Sequence, residues 1–312
     1  MAGLIKKNYP DCKIYFLGRT YTKDIVGLSG HVDEFINYDD IEKLDPKAQT
    51  QFLKKFNADI FLHVFPKIKI ADLAKDAKIP LRVGTTNRLY HWFTCNKLIK
   101  LSRKNSPLHE SQLNFKLLSF LNIETNYELK EIHRFYGFTH IPQLEEKYNV
   151  LIERNKFNLI LHPKSKGSAK EWGLVNFEKL INLLPKDKFN VFISGTEQDG
   201  KSMKDFLIKN KQVIDLTGKL TLQQFIAFIN MCDGLVAAST GPLHIAAALN
   251  KKAIGLFSLK RPIHPGRWMP LGKDAHVLVF DENCEKCAKK LDCDCITKIK
   301  PQQIVDLLEQ KL

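Results

Sequence analysis

The sequence contains no apolar run near the roughly 18 residues that a membrane-spanning helix requires, so a helical integral membrane protein is not indicated. The basic pair Lys6-Lys7 is not followed by the apolar stretch of a secretory leader. The seven cysteines are an odd number, and without a leader a disulfide framework is not expected. No predicted strand runs into G-x-G-x-x-G, and G-x-x-x-x-G-K-[ST] is missing. A nicotinamide-dependent dehydrogenase and a P-loop nucleotide enzyme are both disfavoured on that ground. Zinc-finger, RNA-recognition and homeodomain patterns are also missing, which argues against nucleic acid as a partner. These absences leave a soluble cytoplasmic protein as the expectation.

What the sequence has is length and positive charge. A chain of 312 residues is too long for one ordinary core and suits two domains. Apolar residues at 44% and charged residues at 26% make a normal globular balance. Forty-eight Lys+Arg against 34 Asp+Glu leave a formal charge of +14, concentrated locally at Lys164–Lys170 and Lys97–Lys104. Much of this excess can be solvated surface. The remainder fits phosphorylated ligands or an anionic membrane surface better than base reading.

Short apolar runs that end in turn residues lie at Asn158–Pro163, Asn190–Thr196, Gln212–Gly218, Gly234–Ser239, Lys252–Ser258 and His276–Phe280. Helical patterns alternate with them at Phe177–Leu184, Gly200–Ile208, Leu222–Met231 and Leu243–Leu249. Val- and Ile-rich strands alternating with helices predict an α/β fold with a doubly wound parallel sheet covered on both faces. The first half repeats the alternation more loosely. Its strands are expected at Cys12–Leu17, Asp33–Ile36, Asp59–Val64 and Leu81–Gly84, and its helices at Ala48–Phe56, Ala71–Lys78 and Glu110–Leu121. The reading is two domains, residues 1–140 and 158–312, joined by a linker at 141–157 that overlaps the polar and aromatic stretch Phe138–Lys156. A ligand cleft is expected between the carboxyl ends of their strands. Pro301–Lys311, with Ile304, Leu307 and Leu308 on one face, predicts a closing helix. The opening MAGLIKKNYP reads as the last turns of an amphipathic helix, yet helices in such layers usually follow a strand on which they pack.

Two strand-to-helix junctions carry chemistry. In NLILHPKSKGSAKEWGLVNFEKL an apolar strand ends at His162-Pro163, a basic loop follows, and a helix is expected from an N-cap at Asn176. Lys164, Ser165, Lys166, Ser168 and Lys170 offer hydroxyls and positive charge to a phosphate, or form a flexible basic surface loop. In GLVAASTGPLHIAAAL the strand runs into Ser239-Thr240-Gly241-Pro242, and a helix starts at Leu243 with Pro242 suited to its first turn. Thr240 can cap, Gly241 admits a close ligand, and the helix N-terminus with its dipole favours an anion. His244 lies in that first turn, as a ligand contact or as a packing histidine.

At these residues the sequence resembles the bacterial heptosyltransferases of glycosyltransferase family nine, which use ADP-heptose and lipopolysaccharide. The resemblance covers nearly the whole chain and is strongest in the second half. It implies a GT-B fold, two Rossmann-like domains facing across a cleft, and transfer of a heptose from a nucleotide-sugar donor to a lipopolysaccharide-core acceptor. HPKSKGSAKEW is similar to the family's donor-phosphate loop, which places Ser165, Lys166 and Lys170 on the diphosphate. SGTEQD implies Glu197 at the ribose, DLTGKLTLQQ implies Gly218, Lys219 and Leu220 around the nucleoside, and STGPLHIAAAL is the most characteristic match. It brings Ser239, Thr240, Gly241, Pro242, Leu243 and His244 into the donor site. Ser239 stands where core-type members usually have aspartate, so it cannot make a charged contact with sugar hydroxyls. FPKIKIADLAKDAKIPLRVGTTNRLYHW and LHESQLN also look familiar, which implies Lys67, Lys69, Arg88 and His109 as acceptor contacts beside their alternative as surface charge.

The resemblance implies an inverting reaction that requires no cofactor, with a family aspartate base in the loop after the first strand. That strand and loop, about 15–20 residues of which a strand is about 5–6, are expected before Met1, so no catalytic base is assigned within the sequence. A start codon placed too late, a nucleotide-sugar-binding pseudoenzyme, and another GT-B enzyme such as a sugar 2-epimerase or a transferase with a different donor are the readings that remain. A glycolipid acceptor implies peripheral contact with the anionic inner membrane. Cys284, Cys287, Cys293 and Cys295 form C-x2-C-x5-C-x-C, a four-thiolate spacing for zinc or an iron–sulfur site, with reduced, partly buried thiols as the default and disulfides as the remaining reading.

Overall fold

The computed structural model describes residues 1–103 and 106–310; Lys104 of the predicted basic run and Lys311 of the predicted closing helix lie outside them. The chain divides into two units, Met1–Thr139 and His140–Leu312. All the strand ladders are parallel, as expected where strands alternate with helices.

The first unit opens with helix α1 (Ala2–Asn8), then β1 (Tyr15–Gly18) and β2 (Glu34–Asn37). The predicted strand at Cys12 begins three residues late because side chains hold that stretch instead of a ladder. Lys6 Nζ donates to the Cys12 carbonyl at 2.6 Å, and the Ile14 N–H donates to Asp33 Oδ2 at 2.7 Å. Helix α2 (Pro46–Lys54) starts earlier than its apolar pattern because Asp45 caps it, accepting from the Lys47 and Ala48 N–H groups at 3.0 Å. Strand β3 (Ile60–Leu62), helix α3 (Ile68–Asp76), β4 (Leu81–Thr85) and helix α4 (His91–Thr94) follow. The short strand β5 (Lys97–Ile99) has no pattern of its own; its pairing with β4 makes it a strand. The predicted helix at Glu110–Leu121 ends as α5 at Lys116, and a 3-10 turn, Ser119–Leu121, stops at Asn122 in the left-handed region.

The sheet of this unit is in two pieces, β1–β2 and β3–β4–β5. Both pieces rest on one core, in which Tyr15, Leu17, Ile36 and Phe61 pack with Leu53 of α2 and Leu73 and Ala74 of α3. Among the described residues β1 and β3 each pair on one side only. Phe16 and Ile60 on these strands remain 41% and 39% exposed.

The second unit has a single sheet of β6 (Phe157–His162), β7 (Phe189–Ile193), β8 (Ile214–Asp215), β9 (Gly234–Ala238), β10 (Lys252–Phe257) and β11 (Ala275–Val279). The spatial order is β11-β10-β9-β6-β7-β8. Counted from β6 this is the 3-2-1-4-5-6 order of a dinucleotide-type doubly wound fold. Leu159, Ile160 and Leu161 of β6 are fully buried, and each such side chain stabilises the fold by about 1.5–3 kcal/mol.

Helix α6 (Leu174–Leu183) does not begin at an Asn176 cap. Gly173 holds φ +95° at its N-cap, and the Asn176 amide donates to the Trp172 carbonyl at 2.9 Å and the Thr297 carbonyl at 2.7 Å. The predicted helix from Gly200 is two helices, α7 (Glu197–Ser202) and α8 (Lys204–Lys209), interrupted at Met203. It starts early because Thr196 and Asp199 form a capping box. Helix α9 spans Leu222–Met231 as predicted, with Thr221 as its cap. Helix α10 (Gly241–Ala248) begins two residues ahead of the expected Leu243. A four-residue helix, α11 (Glu285–Ala288), precedes the closing helix α12 (Pro301–Glu309), whose Ile304 and Leu308 are buried. The buried Lys252 ammonium of β10 donates to the Leu307 carbonyl at 2.7 Å and ties α12 to the sheet. The stretch expected as a linker carries a short helix, Glu146–Asn149, within the second unit.

Candidate functional site

Because the strands of the second unit are parallel, their carboxyl ends and the loops that leave them share one edge of the sheet. The strand order reverses between β6 and β9, and at such a switch point two loops diverge and leave room for a ligand. The loops there are the ones expected to bind phosphate: Pro163–Gly173 after β6 and Ser239-Thr240 after β9. Lys170 and Ser239 line one small crevice, together with Ala169, Ser258 and Ile263.

Thr240 is the N-cap of α10, but its extended backbone, φ −132° and ψ 163°, makes no side-chain cap. Its Oγ1 is buried without a hydrogen-bond partner. A buried hydroxyl in that state is destabilising by about 1–3 kcal/mol, and a ligand acceptor at the helix start would satisfy it. The first-turn N–H groups of α10 lack acceptors within the helix, and its dipole places partial positive charge there. Gly241 is exposed and a side chain there would meet nothing, so the backbone is open to close approach. Leu243 is buried, Pro242 lies at the start of the helix, and His244 is half-buried.

The β6 loop is folded around the Glu171 carboxylate. Its Oε1 accepts from the Ser165 N–H at 2.9 Å, and its Oε2 pairs with Lys164 Nζ at 3.1 Å. Ser165 is buried and its Oγ donates to the Ala169 carbonyl at 2.7 Å. Lys166 and Gly167 both take positive φ, +49° and +78°, and turn an exposed Lys166 outward. Lys170 points the other way: its ammonium donates to Asp292 Oδ1 at 2.7 Å and to the Cys293 carbonyl.

The next two motifs also converge. A Cβ on Gly218, which has φ +70°, would stand 2.8 Å from Glu197 Cα, so only glycine lets this turn pass the start of α7. Glu197 is exposed and pairs with Lys201 at 2.7 Å. Lys219 Nζ donates to the Asp215 carbonyl at 2.7 Å, Tyr148 donates its hydroxyl to the Lys219 carbonyl, and Leu220 leads into α9.

Sequence reasoning did not select His162 or Glu171. His162 ends β6 and its Nδ1 lies 2.9 Å from Ser194 Oγ at the end of β7, with Asp199, Lys166 and Glu171 acting on its charge. Burial pushes it down to about 4. A histidine closing an apolar strand, as in LILHP, was the available signal. Glu171 had none, because its role depends on how the loop folds back.

In the first unit, Lys67 lies over the exposed Phe65 ring at 5.2 Å and Lys69 faces Glu42 at 3.9 Å. Arg88 is exposed in the loop after β4. His109 is buried and caps α5, accepting from the Ser111 N–H at 3.2 Å. Near the first three in sequence, Phe65, Leu89 and Phe93 are 77%, 76% and 71% exposed, and Ile68 and Trp92 are exposed too, on the loops and helix starts that follow the adjacent strands β3 and β4. On the same two segments His63 and His91 are buried, with ring centroids 5.1 Å apart and both Nε2 atoms unpartnered.

Two parallel α/β units, one with an anion-ready switch point, define a GT-B-type architecture, and solved structures share it. The structure of Escherichia coli ADP-heptose lipopolysaccharide heptosyltransferase II superposes with a TM-score of 0.71 at 19% identity, covering 98% of this chain and 92% of that one. A Veillonella parvula glycosyltransferase family 9 structure gives 0.79 at 16% identity, covering 99% and 90%. Among sequence relatives, a Haemophilus influenzae protein itself only provisionally named a glycosyltransferase is 25% identical, over 88% of this chain and 82% of its own length. Haemophilus ducreyi lipooligosaccharide heptosyltransferase 2 is 30% identical, over 47% of this chain and 44% of its own length. The chain thus spans less than half of that heptosyltransferase. The model of glycosyltransferase family 9 (heptosyltransferase) matches residues 48–295, and the chain belongs to that family.

His162 makes the acid limb of stability a test of this geometry. Its folded value of about 4 lies below the ordinary 6.5, so between these the unfolded chain binds more protons and stability falls as pH falls. His162→Gln is expected to shrink the loss of urea midpoint between about pH 7 and pH 4.5. An equal loss in the variant would mean that His162 is not held neutral.

Proposed function

We propose that this glycosyltransferase moves a heptose, with ADP-heptose as donor, to a lipopolysaccharide-core acceptor with inversion at the anomeric carbon. The observation that carries the donor half is the buried, unpartnered Thr240 hydroxyl at the start of α10, opposite a basic loop at the switch point of the sheet. An acceptor hydroxyl attacks the anomeric carbon while the nucleoside diphosphate departs. Negative charge grows on the departing phosphate, where the α10 N-terminus and Lys170 act as fixed positive partners in a low-dielectric site. Glu197 and the Gly218 turn form the ledge for the nucleoside. Ser239 serves the sugar through neutral hydrogen bonds.

A general base must take the acceptor's proton, and none is assigned among the described residues. In the second unit the first strand, β6, is central, between β7 and β9. The equivalent place in the first unit is between β1 and β3, whose residues Phe16 and Ile60 are exposed. Among the described residues neither strand has a partner on that side. The apolar and basic surface of Phe65, Leu89, Trp92, Phe93, Lys67 and Arg88 suits the interfacial zone of an anionic membrane, where the glycolipid acceptor resides.

Calorimetric titration should show tighter binding of ADP-heptose than of UDP- or GDP-sugars; equal affinities would remove the heptosyl assignment. Lys170→Ala and His244→Ala should each weaken donor binding by about tenfold, about 1.4 kcal/mol, with folding retained. Unchanged affinity in both would move the diphosphate elsewhere. Cosedimentation with phosphatidylglycerol vesicles should fall when Phe65, Trp92 and Phe93 are all changed to serine. Equal sedimentation would place the membrane contact on another surface.

A further inference from the structure

The segment between β11 and α12 holds a cluster that the donor site does not use. Cys284, Cys287, Cys293 and Cys295 bring all four Sγ atoms within 4.8 Å of one another, with three of the residues buried. Cys284 and Cys293 lie 3.4 Å apart at sulfur, as do Cys287 and Cys295. These separations exceed the roughly 2.05 Å of a disulfide bond. Four thiolates around one cation, each bonded at about 2.3 Å, stand about 3.8 Å apart along a tetrahedral edge. An iron–sulfur cluster distributes its thiolates over several irons and needs a wider frame.

The surrounding backbone offers little other reason for this convergence. It consists of the four-residue α11 and a four-residue 3-10 turn, Cys295–Lys298, elements too short to hold a shape by themselves. A four-coordinate ion supplies that constraint. The same segment is the support of the β6 loop. Asp292 and the Cys293 carbonyl accept from Lys170, the Ile299 carbonyl accepts from Trp172 Nε1 at 3.0 Å, and the Thr297 carbonyl accepts from Asn176.

We propose that Cys284, Cys287, Cys293 and Cys295 form a mononuclear four-thiolate zinc site that fixes the segment on which the β6 loop rests. Sulfur ligands in a closed tetrahedral set suit zinc, and such sites stabilise folding rather than perform chemistry. The site is separate from the donor reading, because metal content is measured without any substrate.

Plasma mass spectrometry of the purified full chain, prepared without chelator, should find one zinc per chain. Cobalt exchanged into the site should give sulfur-to-cobalt charge-transfer bands and the intense visible bands of tetrahedral cobalt. Cys293→Ser should weaken zinc retention beyond the roughly 10- to 100-fold typical of losing an outer-shell partner, whereas Cys12→Ser should leave it unchanged. Zinc removal should expose both the 284–299 and the 164–173 segments to limited proteolysis. One iron per chain without sulfide would overturn zinc as the metal. Metal-free protein with four titratable thiols, two disulfides, or several irons with acid-labile sulfide would overturn the mononuclear site. Unchanged proteolysis at residues 164–173 would overturn the support role.

Discussion

The pairing of β6 with strands on both sides is the constraint from which the rest of the second unit follows. Leu161 stands beside Ile193 on one flank and Val236 on the other. A central strand cannot shift register without turning its buried side chains toward the other face. Its position fixes where the strand order reverses, and hence where the loops after β6 and β9 diverge. The basic residues and the α10 N-terminus owe their proximity to this topology, since they are about 70 residues apart in sequence and lie on adjacent strands.

Much of this was legible because buried parallel strands leave strong marks. Each apolar run of the second half corresponds to a strand, and α9 keeps its predicted limits. Errors gathered where side chains outside the periodic pattern set the ends: Asp45 and Thr196 start helices early, Gly173 displaces the start of α6 from Asn176, and Asp33 and Lys6 delay β1. Strand β5 was invisible because three residues, KLI, carry no period and become a strand only through β4. The site was legible in the same uneven way. Loop composition pointed to Ser165, Lys166 and Lys170, whereas the inward turn of Glu171 and the anchoring of Lys170 on Asp292 depend on residues distant in sequence or on loop folding.

His109 shows how one residue type can lead to two readings. The family resemblance implies His109 as an acceptor contact, and in the structure its ring accepts from the Ser111 N–H at the start of α5. Helix caps more often come from shorter polar side chains, so composition alone gives no warning of this task. The orphaned Thr240 hydroxyl is the opposite case, a residue of good capping type that does not cap.

The attachment of the β6 loop to residues 292–299 has a consequence for synthesis. Trp172 and Lys170 reach partners more than 120 residues later, at Ile299 and Asp292. On a ribosome the sheet core around β6, β7 and β9 emerges well before those partners. The loop therefore lacks its support until residues 292–299 have left the exit tunnel, since non-local contacts cannot form before both sides exist. The β6 loop is thus among the later parts of the second unit to gain its full set of contacts, although its own strand is made first.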